Sequence, residues 1–296
     1  MSRLERRYRL LLRAYPGDYR ADYGDELLDV LLTRAEADRV LPPAREAAAL
    51  VVGGVRTRIT EAAQGHAWVD GTHLAVTALS LVQVAVLIPY AGSIPLWVAI
   101  AGVAFLCVLR GWIRPALALS VLTAAKVTAI TLGVQIFDPT LLPIFPDPPW
   151  QNTDALYMNG GPYAPATSSI LLILGLMALA IRGEPLRHRS WWWLAAVPLV
   201  AGADPAWHDI VAGDPGAMLR VGLETALLCG AAYAGHLTGD ARWALAAGVY
   251  ALPCCAILVE NLLYISRQEV AHGMLIVLLA LIAAAVPYRA RRRILL

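Results

Sequence analysis

Eight apolar stretches decide what this chain can become. They lie near residues 72–91, 94–110, 115–137, 165–182, 190–208, 218–236, 243–265 and 271–289. A run of about 18 apolar residues is long enough to cross the hydrocarbon core of a bilayer as a helix. Backbone N–H and C=O groups find no water there, so the run must satisfy them internally. The pattern predicts an all-α, polytopic membrane protein with about eight transmembrane helices. Composition agrees, with 58% of residues hydrophobic and 16% charged, against about 25% charged in a soluble domain. The fifth stretch is the shortest. Its clean apolar part runs from Trp191 to Ala203, and Asp204-Pro205 follows, so it also reads as a short or partly re-entrant segment.

Charge divides the chain. Residues 1–66 hold 11 arginines and 10 acids, almost half of all charged side chains in less than a quarter of the length. This predicts a water-exposed helical module over 1–66 and a transmembrane domain over 67–296. The Arg-rich N-terminus is not followed by an apolar h-region or cleavage site, so no cleavable signal peptide is expected. The near-exclusive use of Arg over Lys and the abundance of Ala point to a GC-rich bacterial genome of actinobacterial type.

Orientation follows from arginine placement. With the N-terminus inside, the inner flanks carry Arg56, Arg58, Arg110, Arg114, Arg182, Arg187, Arg189, Arg242, Arg289, Arg291, Arg292 and Arg293. The outer flanks carry Arg220 and Arg267. A positive-inside bias of this size predicts an even number of spans in the bacterial cytoplasmic membrane, with both termini cytoplasmic. Trp191, Trp192 and Trp193 directly follow Arg187-His188-Arg189, the order expected of an inner-leaflet aromatic belt. The longest outer loop, 138–164, contains no Arg or Lys. It reads as an interfacial linker anchored by Trp150, Tyr157 and Tyr163.

The N-terminal module reads as three amphipathic helices. Leu4, Tyr8, Leu11 and Tyr15 share one face of the first, which Pro16-Gly17 ends. Residues 25–39 carry Leu27, Leu28, Leu31, Leu32 and Ala35 in one stripe. Residues 44–61 carry Ala48, Val51, Val52, Val55 and Ile59, again expected to face a common core. The repeated Tyr15-Pro16, Tyr19-Arg20 and Tyr23-Gly24 suit a tight corner, with Gly24 free to take a left-handed turn.

These residues, with Glu26, Arg45-Glu46 and Arg56-Thr57-Arg58, carry a resemblance. The stretch 8–39 is similar to the N-terminal permease-prefix region of MacB/FtsX-like permeases. It also resembles the helical signalling module of multi-pass bacterial membrane proteins encoded beside PadR-type transcription regulators. The resemblance covers about the first 60 residues. It implies that Tyr15, Pro16, Tyr19, Arg20, Tyr23, Gly24 and Glu26 belong to a partner-binding module. It also implies a cytoplasmic partner, either a PadR-like regulator or a separate ATPase subunit. Loop 138–164 is too short to be the large extracytoplasmic domain of a MacB-type permease, which favours a compact membrane protein carrying the same module.

Ionisable residues inside apolar spans are expensive and tend to face the bundle interior. Lys126, Glu224 and Glu260, the last beside Asn261, are such residues. They predict an intramembrane polar centre built on a Lys126–Glu224 or Lys126–Glu260 pair. Cys107, Cys229, Cys254 and Cys255 fall in apolar runs without metal-ligand or disulfide spacing and are expected as small core hydrophobes. No P-loop, H-E-x-x-H or G-x-S-x-G occurs, His208-Asp209 and His272 have no metal-ligand spacing, and the module's arginines are matched by acids. The expectation is therefore a non-enzymatic membrane protein without cofactor, metal or direct nucleic-acid partner. Its expected role is to couple an envelope or ligand signal to a cytoplasmic partner. The alternative is a transporter or ABC-permease-type subunit using the polar centre.

Overall fold

A computed structural model describes residues 3–35, 40–63, 65–88, 91, 94–131, 163–200, 215–260 and 267–294. Among the described residues there are eleven α-helices and no strand. The chain divides into two compact units, Met1–Gly65 and His66–Leu296.

The first unit contains α1 (Arg3–Leu12), α2 (Gly17–Arg34) and α3 (Ala44–Ala62). Leu4, Tyr8 and Leu12 of α1 bury against Leu28 of α2 and Leu50 of α3, with Leu27, Leu31, Leu32 and Ala35 packed around them. Two expectations are corrected here. The second helix begins at Gly17 rather than near residue 25, so Tyr19, Arg20, Tyr23, Gly24 and Glu26 all lie within α2. Pro16 stands at its N-cap with Asp18 in the first turn, a start favoured by proline's fixed φ and the helix dipole. No left-handed turn occurs at Gly24, and a Cβ there would meet only Arg20 Cβ at 3.7 Å.

The second correction concerns α3. Its apolar stripe faces outward: Val51, Val52 and Val55 are exposed, while Leu50 and Gly54 are buried. Glycine decides the outcome. A Cβ on Gly54 would lie 2.7 Å from the Ala14 carbonyl carbon, and one on Gly53 would lie 2.6 Å from the Tyr15 hydroxyl. Only the glycine face lets α3 approach the end of α1 this closely. Arg58 then donates to the carbonyls of Arg13 and Tyr15, at 2.7 and 3.2 Å, and to that of Ala14. These carbonyls lie in the turn that follows α1.

The second unit contains α4 (Ala67–Leu87), α5 (Pro95–Leu109), α6 (Ile113–Thr131), α7 (Tyr163–Arg182), α8 (Trp192–Val200), α9 (Pro215–Thr238), α10 (Arg242–Glu260) and α11 (Arg267–Ile294). Each of the eight apolar stretches thus contains a helix. Two of these helices, over Pro165–Arg182 and Val270–Pro287, are long and apolar enough to cross a membrane. Helix α4 packs against α5, α7, α8 and α10, and α9 packs against α10 and α11. One core joins Val76 and Leu79 to Val108, Leu172 and Leu176. Another joins Leu228, Ala247, Ala251, Ile276 and Ala283. The α5–α6 corner is a Schellman turn: Trp112 N–H bonds the Cys107 carbonyl and Gly111, at φ 74°, bonds that of Val108, the left-handed position glycine fills without strain.

Apolar side chains also lie on the outside of this unit. Ile170, Leu174, Met177 and Ile181 of α7 are exposed at helical spacing, as are Met274, Leu278, Leu281 and Ile282 of α11. Buried together with the apolar cores are His73, Thr77, Ser80, Ser120, Thr123, Lys126, Ser169, Glu224 and Arg242. The hydroxyls of Thr77, Ser80 and Thr123 donate to carbonyls of their own helices, and His73 Nε2–H donates to the Val108 carbonyl at 2.8 Å. Cys229 departs from expectation and points outward.

Candidate functional site

A cavity of about 420 Å³ opens between α4, α8, α9 and α10. Its walls are almost wholly apolar side chains, with Trp193, Trp243 and Tyr250 as the aromatic members and Glu224 as the acid. Glu224 is 7% exposed. One carboxylate oxygen accepts a hydrogen bond from the Tyr250 hydroxyl of α10. The other lies 3.0 Å from Nε2 of His272 on α11. Gly273 permits that approach, because a Cβ there would lie 2.4 Å from a Leu258 methyl of α10. Trp243 Nε1 is buried without a hydrogen-bond partner among the described residues. Buried donors are rarely left so.

Of the expected polar centre, Glu224 and Lys126 lie among the described side chains. Glu224 is bonded by Tyr250 and His272, not by Lys126. Lys126 is 3% exposed and sits on α6, which packs against α5 and α7. Its ammonium lies 5.9 Å from the ring centre of Trp97 on α5, within cation–π range. Glu260 is the last residue of α10; its side chain and Asn261 lie outside the described residues. So do loop residues Trp150 and Tyr157, whereas Tyr163 opens α7 in an exposed position. The tryptophan run divides its roles. Trp191 and Trp192 are exposed, with the Arg110 guanidinium 4.2 Å above the Trp191 ring, whereas Trp193 turns into the cavity wall.

A second cluster was not read from sequence. Arg189 donates to the Asp70 carboxylate at 2.6 Å and to its carbonyl at 2.8 Å. Arg242 reaches the other Asp70 oxygen at 2.9 Å and Asp240 at 2.6 Å. Two acids and two arginines balance, and Arg242 is only 1% exposed. Burial draws the Arg189 guanidinium below its ordinary pKa, and Asp70 opposes the shift. A Cβ at Gly71 would lie 2.8 Å from Arg242 Cα, so α4 and α10 cross here backbone to backbone. The signal available in sequence was Asp70 itself, an acid in the first turn of a span whose flanks are otherwise basic.

In the first unit, Tyr15 stacks on Tyr19 and Tyr19 leans on Tyr23, each pair 5.1 Å apart. Pro16 is buried, Arg20, Tyr23 and Glu26 are exposed, and Gly24 is half-buried. Of the candidate partner-binding residues, Tyr15, Tyr19 and Tyr23 thus form one row of rings. Burial raises the Tyr15 phenol above its ordinary pKa, and Tyr19 adds to the shift. Among the described residues no cluster of His, Cys, Asp and Glu is placed to hold a metal ion. Neither protein-family models, nor curated proteins, nor solved structures yielded a match to this chain.

Proposed function

We propose that the chain is a non-enzymatic regulatory protein of the bacterial cytoplasmic membrane. In this reading residues 66–296 form about eight spans with both termini cytoplasmic. The cavity at Glu224 receives a ligand or envelope signal, and the first unit binds a cytoplasmic partner. The observation that carries the reading is the pairing, in one chain, of a compact charged helical unit with a unit that exposes apolar stripes and buries ionisable side chains within an apolar core. Exposed apolar stripes on α7 and α11 suit lipid, and buried charge suits a functional interior. The resemblance of residues 8–39 to a PadR-associated module supports a regulator as the partner.

A second reading, a transporter or ABC-permease-type subunit, is favoured by the Glu224 carboxylate opening on a cavity. The two are separated by cross-linking the tagged full chain in its native membrane and identifying what it holds. A PadR-like regulator supports the first reading. An ATPase, or gradient-driven uptake by the purified protein alone, overturns it in favour of the second.

A further inference from the structure

The geometry points to a binding site for a hydrophobic monovalent cation in the cavity between α4, α9 and α10, with Glu224 as its counter-charge. The inference rests on the proposed membrane setting of this unit, not on the regulatory role.

The cavity selects by chemistry. Its walls are apolar, so its occupant has an apolar body. Trp193, Trp243 and Tyr250 line it, and aromatic faces attract cations most strongly where water is excluded. A carboxylate has about four lone-pair sites, and Tyr250 and His272 take one each. Among the described residues Glu224 is the one acid on the cavity wall. An anion meets repulsion there, and a neutral apolar body leaves the carboxylate unused. A protonated or quaternary amine, or another hydrophobic onium ion, uses both the aromatic walls and the charge.

The test uses the full chain in lipid nanodiscs, with empty nanodiscs as background, and tetraphenylphosphonium as the probe. Binding is read by equilibrium dialysis and by tryptophan quenching. Saturable binding is expected. Glu224→Gln should weaken it at least about tenfold. Ala78→Phe, which fills the cavity without touching the Glu224–Tyr250–His272 cluster, should do the same. Tetraphenylborate, of like shape and opposite charge, should not bind. The cation site is overturned if tetraphenylphosphonium binds no more than to empty nanodiscs, if both substitutions leave binding unchanged, or if tetraphenylborate binds equally. Partner capture from the same preparation keeps the outcomes apart: capture intact with no cation binding sinks this inference alone.

Discussion

Asp70 and Arg242 stand 172 residues apart in the chain and meet through a 2.9 Å ion pair, at the point where Gly71 lets α4 and α10 touch. Arg242 is almost fully enclosed, so its charge depends on partners and not on water. Removing one partner of such a pair costs about 3–5 kcal/mol, while replacing the whole set by apolar groups is often neutral. Asp70→Asn is therefore expected to lower the melting temperature of the detergent-solubilised protein sharply. An Asp70→Leu, Arg242→Met double variant should recover part of the loss. Additive losses would show that the two residues are not coupled.

Helix α3 offers a test of which face packs. Gly54→Val drives a side chain into the Ala14 backbone, and overpacking of this kind costs about 1–3 kcal/mol. Val52→Glu lies on the exposed face and should change stability by about 0.5 kcal/mol or less. Chemical denaturation followed through the α1–α3 unit would reverse these ranks if the apolar stripe faced the core.

The outward stripe of α11 distinguishes lipid from water. Leu278 is 54% exposed near the middle of the apolar window, where an arginine costs about 2.5–3.5 kcal/mol on insertion scales. Leu278→Arg should reduce recovery in the alkali-resistant membrane fraction. In a water-facing bundle the same change would leave the yield unaltered or improve it.

Tyr15 gives a pH signature. Its phenol is raised by burial, so the folded unit holds the proton more tightly than the unfolded chain does. The resulting stability is complete below the ordinary phenol value of about 10 and is lost as pH rises through the higher folded value. Ultraviolet difference titration should show one tyrosine ionising late, and Tyr15→Phe should remove that phase. An unchanged titration curve in the variant would place the late phenol elsewhere.

What was legible followed from periodicity. The apolar runs marked the helices of the second unit, and the leucines of α1 and α2 marked the faces that pack. Position 24 was misread because glycine signals a turn only where the backbone needs one, and α2 runs through it. The stripe on α3 was misread because a pair of glycines allowed a closer approach than valines permit. Glu224 was legible as an acid inside an apolar run. Tyr250 and His272 were not legible as its partners, because helix order in space is not written in local spacing. Asp70 escaped for the same reason, its arginines being 119 and 172 residues away.

Those separations also set a timetable. At about 5–20 residues per second, Arg189 leaves the ribosome about 6–24 seconds after Asp70, and Arg242 later still. During that interval α4 carries an acid whose arginines have not yet been made. The first helix of the unit waits on the seventh before its anchor is complete. Assembly of this unit therefore closes late, and nonsense or frameshift products that stop before Arg242 would present the quality-control machinery with a half-satisfied carboxylate at the start of α4.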